Sequence, residues 1–224
     1  MDWQAIWLSV RLAGLTTLIL VAVGLPLAWW LATTRRRFRF LLEAVVALPI
    51  VLPPTVLGFY VLVAIGPHSP FGQTYTALTG SRLPFSFQGL LLASVLYSMP
   101  FAVQPFAAAL ATVDRRLIEA SWCLGISPLA TFFRVTLLLA WPGILTGIVL
   151  SFAHTLGEFG VVLMIGGNLP GVTRTVSVSI YDQVQALDYA AANRTSLLLL
   201  FFSFAVLAIT YSLQRKFVQV WMAR

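Results

Sequence analysis

The 224 residues are 59% hydrophobic and only 9% charged, with fourteen cations against seven anions and a net charge of +7. A soluble domain is about a quarter charged, so this chain cannot present a patch-free surface to water and is read as a membrane protein. The same lack of polar surface excludes a nucleic-acid-binding module despite the basic balance. One cysteine, Cys123, excludes an internal disulfide framework. A single lysine, Lys216, and no GxxxxGK exclude a phosphate-cradling loop, so the chain cannot energise anything with ATP by itself.

A hydrocarbon core about 30 Å thick needs roughly 20 residues of apolar helix. The N-terminal MDWQAIWLSVRL lacks the basic start and A-x-A site of a cleaved signal peptide, and the first apolar run, Leu12 to Ala32, is expected to be kept as a span. The second span is Ala44 to Ile65. It holds Pro49, Pro53 and Pro54 within Leu48-Pro-Ile-Val-Leu-Pro-Pro-Thr55, and prolines remove donors and clash with the preceding turn. Broken backbone inside a bilayer survives only against protein or a water-filled cavity. This span is therefore a candidate for lining or gating a pathway, against the plainer reading of a kinked packing helix.

An outer loop from Gly66 to Gln88 leads to the third span, Gly89 to Ala111, expected to be kinked at Pro100 and Pro105. Asp114 then caps a short helix ending near Gly125, and Ser127-Pro128 turns into a second short helix, Leu129 to Arg134. The first of these is amphipathic, with Leu117, Ile118, Ser121, Trp122 and Gly125 near one side. It could lie on lipid, form a structural turn, or dock a partner. The fourth span is Val135 to Ala153, in which Gly143-x-x-x-Gly147 permits close packing, more within the chain than between copies. Val161 to Ile165 is too short to span and reads as a continuation, a re-entrant piece or a gate. A second outer loop, His154 to Thr195, precedes the fifth span, Ser196 to Leu213.

Cytoplasmic loops are enriched in Lys and Arg. Arg35, Arg36, Arg37, Arg39, Arg115, Arg116, Arg134, Arg215, Lys216 and Arg224 fall on one side, and only Arg11, Arg82, Arg174 and Arg194 on the other. The expectation is an all-α, five-span protein with its N-terminus outside and its C-terminus inside. With no dividing linker, residues 1–224 form a single transmembrane domain.

Glu119-Ala120-Ser121-x-x-x-Gly125, nine residues, then Val135-Thr-Leu-Leu138 resembles the EAA loop of ABC-importer permeases. Ser121 stands where the family has a second Ala, and Leu138 where it has Pro. Leu48 to Gly58 is similar to the second-span motif of the molybdate/sulfate branch of these permeases. Leu156-Gly-Glu-Phe-Gly160, Gly166 to Thr175 and Ile180-Tyr181 resemble its molybdate members in particular.

That resemblance implies an importer permease of type I core that moves molybdate across the inner membrane, with tungstate or sulfate as alternatives. The implied partners are a cytoplasmic ABC ATPase dimer, a periplasmic molybdate-binding protein, a second copy of the chain and the lipid bilayer. No cofactor, metal or catalytic residue is implied. Glu119, Ala120, Ser121 and Gly125 would form the coupling segment within 114–134, where glycine permits the turn.

Pro49, Pro53, Pro54, Thr55 and Glu158 are candidates for the path or gate. A carboxylate repels a dianion, so Glu158 is expected in an ion pair or as a helix cap near the outer gate rather than on the substrate. Thr173, Arg174 and Thr175 are candidate outer-loop contacts. His154 and Glu158, four apart, have the spacing of two metal ligands, which leaves an intramembrane metal-dependent enzyme as the rival of another class.

Overall fold

The computed structural model describes residues 2–34 and 36–222, with side chains through residue 212. Arg35, Arg215, Lys216 and Arg224 of the cation count lie outside the described residues or side chains.

The first long helix, α1 (Trp3–Thr33), starts nine residues before the apolar run. Its cap explains this: Asp2 accepts the Ala5 N–H at 3.0 Å, so the helix forms before the hydrophobic stretch begins. A π-helical turn, Leu20–Gly24, interrupts it just before Pro26. The wider turn makes room for a ring that would otherwise strike the preceding carbonyls.

The second expected span divides in two. Helix α2 (Arg39–Val51) and helix α3 (Pro54–Ile65) meet at 114°. Leu52 and Pro53 each precede a proline, and both are extended, with ψ 136° and 135°. The residue before proline is driven out of the α region, and two such residues in succession end one helix before the next begins. Pro49 instead stays inside α2 and is buried. Helix α4 (Pro70–Thr79) follows α3.

Helix α5 (Phe87–Ala111) runs as one helix through Pro100 and Pro105. Helix α6 (Arg115–Cys123) is the short amphipathic segment. Helix α7 (Pro128–Gly157) joins the expected short second helix to the fourth span through a π-helical turn, Phe132–Thr136. The chain continues with α8 (Gly160–Gly166), α9 (Val176–Gln185) and α10 (Tyr189–Met222). Among the described residues four helices are long and apolar enough to cross a membrane, and there are five if the bent pair α2–α3 counts as one span.

Helices α5 and α7 form the central seam, with α1 packed along both. A Cβ on Gly143 would strike Ala109, and one on Gly147 would lie 2.6 Å from the Phe106 ring. The small-residue pair in α7 is therefore spent on contact with α5 inside the chain. Two apolar cores result. One gathers Leu12, Val61, Leu90, Val161 and Ile165; the other gathers Leu20, Ala28, Val103, Phe106 and Ile144. Between them along α1, α5 and α7 lie buried Thr16, Thr17, Ser94, Ser98, Ser151 and Thr155.

Candidate translocation site and coupling segment

That buried polar layer is where α5 meets the end of α7. Ser94 and Ser98 are four apart, so they share one face of α5. Ser94 Oγ donates to Glu158 Oε2 at 3.1 Å. Ser98 Oγ lies 2.9 Å from His154 Nδ1 and 2.8 Å from Thr155 Oγ1. Thr155 donates its own hydroxyl proton to the Ser151 carbonyl at 2.8 Å. Ser98 must then donate to Thr155, which leaves His154 Nδ1–H to donate to Ser98. His154 is also stacked on Phe101, with ring centroids 3.8 Å apart.

Glu158 is 5% exposed, and its Oε1 has no hydrogen-bond partner. Among the described residues no cation forms the expected pair with it. The ion pairs among the described residues are Arg39–Glu43, Arg115–Glu119 and Arg174–Asp182. Glu158 does occupy the C-cap of α7, with its backbone extended at ψ 137°. His154 is engaged by Ser98 and Phe101, and among the described residues no third His, Cys, Asp or Glu joins it and Glu158.

A cleft of about 660 Å³ opens beside this layer, bounded by Pro54, Thr55, Tyr97, His154, Glu158 and Met164. It brings Pro54, Thr55 and Glu158 together, although they are a hundred residues apart in the chain. Pro53 sits in the break itself, and Pro49 lies back within α2. The extended Glu158 ends α7, so the Val161–Ile165 run is not its continuation but part of the separate, buried helix α8. Helix α8 is pressed against α3: a Cβ on Gly160 would lie 2.7 Å from Pro54 Cβ, and one on Gly58 2.9 Å from Met164 Cβ. The broken span and the Glu158 corner are thus held together by two glycine contacts.

The outer-loop candidates are turned inward. Thr173 is buried, donates to the Gly166 carbonyl at 2.6 Å and accepts the Leu169 N–H at 3.0 Å. Thr175 is buried at the start of α9. Neither hydroxyl faces outward, which corrects the expectation for both. Arg174 Nε donates to Asn168 Oδ1 at 2.7 Å, and Asn168 Nδ2 donates to Asp182 Oδ2 at 2.8 Å. Arg174 also pairs with Asp182 at 3.5 Å, so the three side chains lock the loop onto α9.

At the opposite end, α6 packs chiefly on the start of α7. Asp114 caps it by accepting the Arg116 N–H at 2.9 Å. Ser121, buried, shares a hydrogen bond with Thr131 at 2.9 Å. A second alanine would lack that hydroxyl, so Ser121 ties α6 to α7 in a way the family's Ala cannot. Glu119 accepts from Arg115 at 3.0 Å on the exposed side, next to exposed Ala120. Gly125 reverses the chain at φ +77°, a conformation that favours glycine. Leu117, Trp122, Leu124 and Leu129 remain exposed around this hairpin.

A model of the family described as binding-protein-dependent transport system inner membrane component matches residues 24–221. The chain belongs to that family. It is 53% identical over 214 residues to the molybdenum transport system permease protein ModB of Azotobacter vinelandii, covering 96% of this chain and 95% of that protein. It is 38% identical over 184 residues to ModB of Escherichia coli (strain K12), covering 82% of this chain and 80% of that one. The fold is that of the inward-facing MetNI methionine ABC transporter, with a TM-score of 0.75 at 17% identity, covering 96% of this chain and 95% of that one. As a family member the chain is a multi-pass inner-membrane transport subunit, and ATP hydrolysis belongs to a separate partner.

The sequence motifs pointed to Pro54, Thr55 and Glu158 but not to Ser94, Ser98 or Thr155. Small hydroxyls inside apolar helices are common and carry no motif. The i, i+4 spacing of Ser94 and Ser98 was the one available sign.

Proposed function

We propose that this chain is the transmembrane permease of a molybdate ABC importer. The observation that carries the reading is 53% identity, over nearly the full length of both chains, to a molybdenum transport permease. Two copies pair about a two-fold axis to enclose one pathway. The N-terminus lies outside and the C-terminus inside, because ten of the fourteen cations belong in sequence to the segments that alternate onto the same side as α6.

A periplasmic binding protein delivers the oxyanion at the α9 end, and an ATPase dimer grips the α6 hairpin at the other. Glu119, Ala120, Ser121 and Gly125 form that hairpin, and its exposed Leu117 and Leu124 offer an apolar face to a groove. ATP and loaded binding protein each favour the outward-open state, and by linkage each strengthens the other's effect.

The cleft at the α2–α3 break forms the path. A tetrahedral dianion is held by N–H and O–H donors, and Thr55 and Tyr97, two hydroxyl-bearing residues, line the cleft. Closure of the pathway is a matter of α8 moving with α3, since glycine contacts bind them. Glu158, which ends α7 where α8 begins, is the hinge point of that movement.

The experiment is uptake of radiolabelled molybdate into proteoliposomes holding the permease, its ATPase and its binding protein. Uptake that needs ATP and is competed by molybdate supports the reading. Stronger competition by tungstate or sulfate would reassign the substrate. If an ATPase binds equally well to a chain lacking residues 114–134, the coupling role is wrong.

A further inference from the structure

A second cavity, of about 740 Å³, lies far from the translocation cleft, at the α6 end. It is enclosed by the last turn of α1, the end of α5, one face of α6 and the π-helical turn of α7. Its wall carries Trp29, Arg39, Arg115, Trp122 and Phe132, and among the described lining residues there is no Asp or Glu. Each guanidinium gives only its Nε to a carboxylate, Arg39 to Glu43 and Arg115 to Glu119. Among the described residues their terminal N–H groups meet no acceptor, nor do the indole N–H groups of Trp29 and Trp122, which are both exposed. The cavity thus carries donors and, among the described lining residues, no carboxylate; Thr33, Thr34, Thr131 and Thr136 add hydroxyls, and Ala32, Leu110 and Ile118 supply apolar wall between the polar groups.

We infer that this cavity binds the phosphodiester headgroup of an anionic phospholipid from the inner leaflet. The chemistry is complementary on both counts. Two arginines and two indoles donate to phosphate oxygens, and the apolar wall receives the glycerol and upper acyl carbons. The inner membrane surface is where basic pockets between helices meet such lipids and where tryptophan is favoured. A cavity of this volume is much larger than a lone tetrahedral oxyanion requires. Arg115 and Trp122 belong to α6, so the bound lipid seats the coupling helix against α1 and α7. The inference rests on the proposed inward placement of α6, but lipid retention reads the site without any ATPase.

The test is native mass spectrometry of the full chain exchanged from nanodiscs of phosphatidylcholine with or without phosphatidylglycerol. Wild type retains phosphatidylglycerol selectively. Each of Arg39→Gln and Arg115→Gln lowers its apparent affinity about fivefold, from roughly 1 kcal/mol per arginine, and the double variant loses it. Trp29→Leu, which keeps both charges, weakens retention as well and serves if the double variant does not fold. Arg36→Gln, on the same basic segment but outside the cavity, retains the lipid. Equal retention by wild type and the double variant overturns the proposal. So does loss with Arg36→Gln as great as with Arg39→Gln, which would mean a diffuse basic face. Displacement of the lipid by free molybdate or phosphate at low concentration would make this an oxyanion site instead. Reconstitution with the ATPase adds a second reading: phosphatidylglycerol raises ATP hydrolysis in wild type and not in the double variant. A chain that retains the lipid but never couples to an ATPase would sink the coupling role and leave the lipid site standing.

Discussion

Ser94 on α5 donates to Glu158 at the end of α7 across 3.1 Å, and it is the only hydrogen-bond donor that the buried carboxyl has among the described residues. An acidic group in a bilayer is costly unless partnered. This contact therefore fixes the corner where α7 stops and α8 begins. Ser94→Ala strands the carboxyl, and a buried polar group left without its partner costs about 1–3 kcal/mol. The expected outcome is a lower melting temperature in detergent together with reduced molybdate uptake. Glu158→Gln, which still accepts from Ser94, is expected to stay closer to wild type than Ser94→Ala. Unchanged melting of Ser94→Ala would mean that the contact contributes nothing.

The α3–α8 contact gives a second prediction. A side chain at Gly160 meets Pro54 at 2.7 Å, and neither the proline ring nor the helix start can yield easily. Gly160→Val is expected to cost about 1–3 kcal/mol by overpacking and to abolish uptake. The variant should still co-purify with its ATPase, because α6 lies at the other end. Loss of both together would place the effect in the whole fold rather than in the path.

Gly125 tests backbone against contact. A Cβ there meets nothing within 4 Å, so only its φ of +77° opposes substitution. Gly125→Ala is expected to cost about 1 kcal/mol from the left-handed conformation, and Gly125→Asn less, since Asn tolerates that region. ATPase association should follow the order Gly, Asn, Ala, Val. A series ordered by side-chain volume alone, with Asn worse than Ala, would show that the groove rather than the turn sets the limit.

The Asn168–Arg174–Asp182 lock gives the fourth. Asp182→Ala removes the acceptor of both partners. The pair is about one-third exposed, so the loss of stability should be under about 1 kcal/mol. Arg174, still donating to Asn168 but no longer tied to α9, should change how the loaded binding protein stimulates ATP hydrolysis, while ATP hydrolysis without that protein stays the same. Identical stimulation in wild type and variant would remove this loop from the docking surface.

Much of the molecule was legible in one dimension because a membrane imposes simple arithmetic. Span length, cation side and the EAA-like spacing need no partner in space to be seen. The break at Pro53-Pro54 was also visible, since adjacent prolines forbid a helix whatever surrounds them. Other features depended on neighbours far along the chain. Whether Glu158 would find a cation or a serine was decided by α7 packing along α5. Thr173 and Thr175 read as surface residues in a loop, yet folding buried both, and the Thr173 hydroxyl meets backbone groups of Gly166 and Leu169. The starting figures, few charges and +7, thus determined that this chain crosses a membrane and which end carries its cations. The tertiary structure alone decided which polar groups meet inside it, because hydrogen bonds between side chains sixty residues apart leave no period in the sequence.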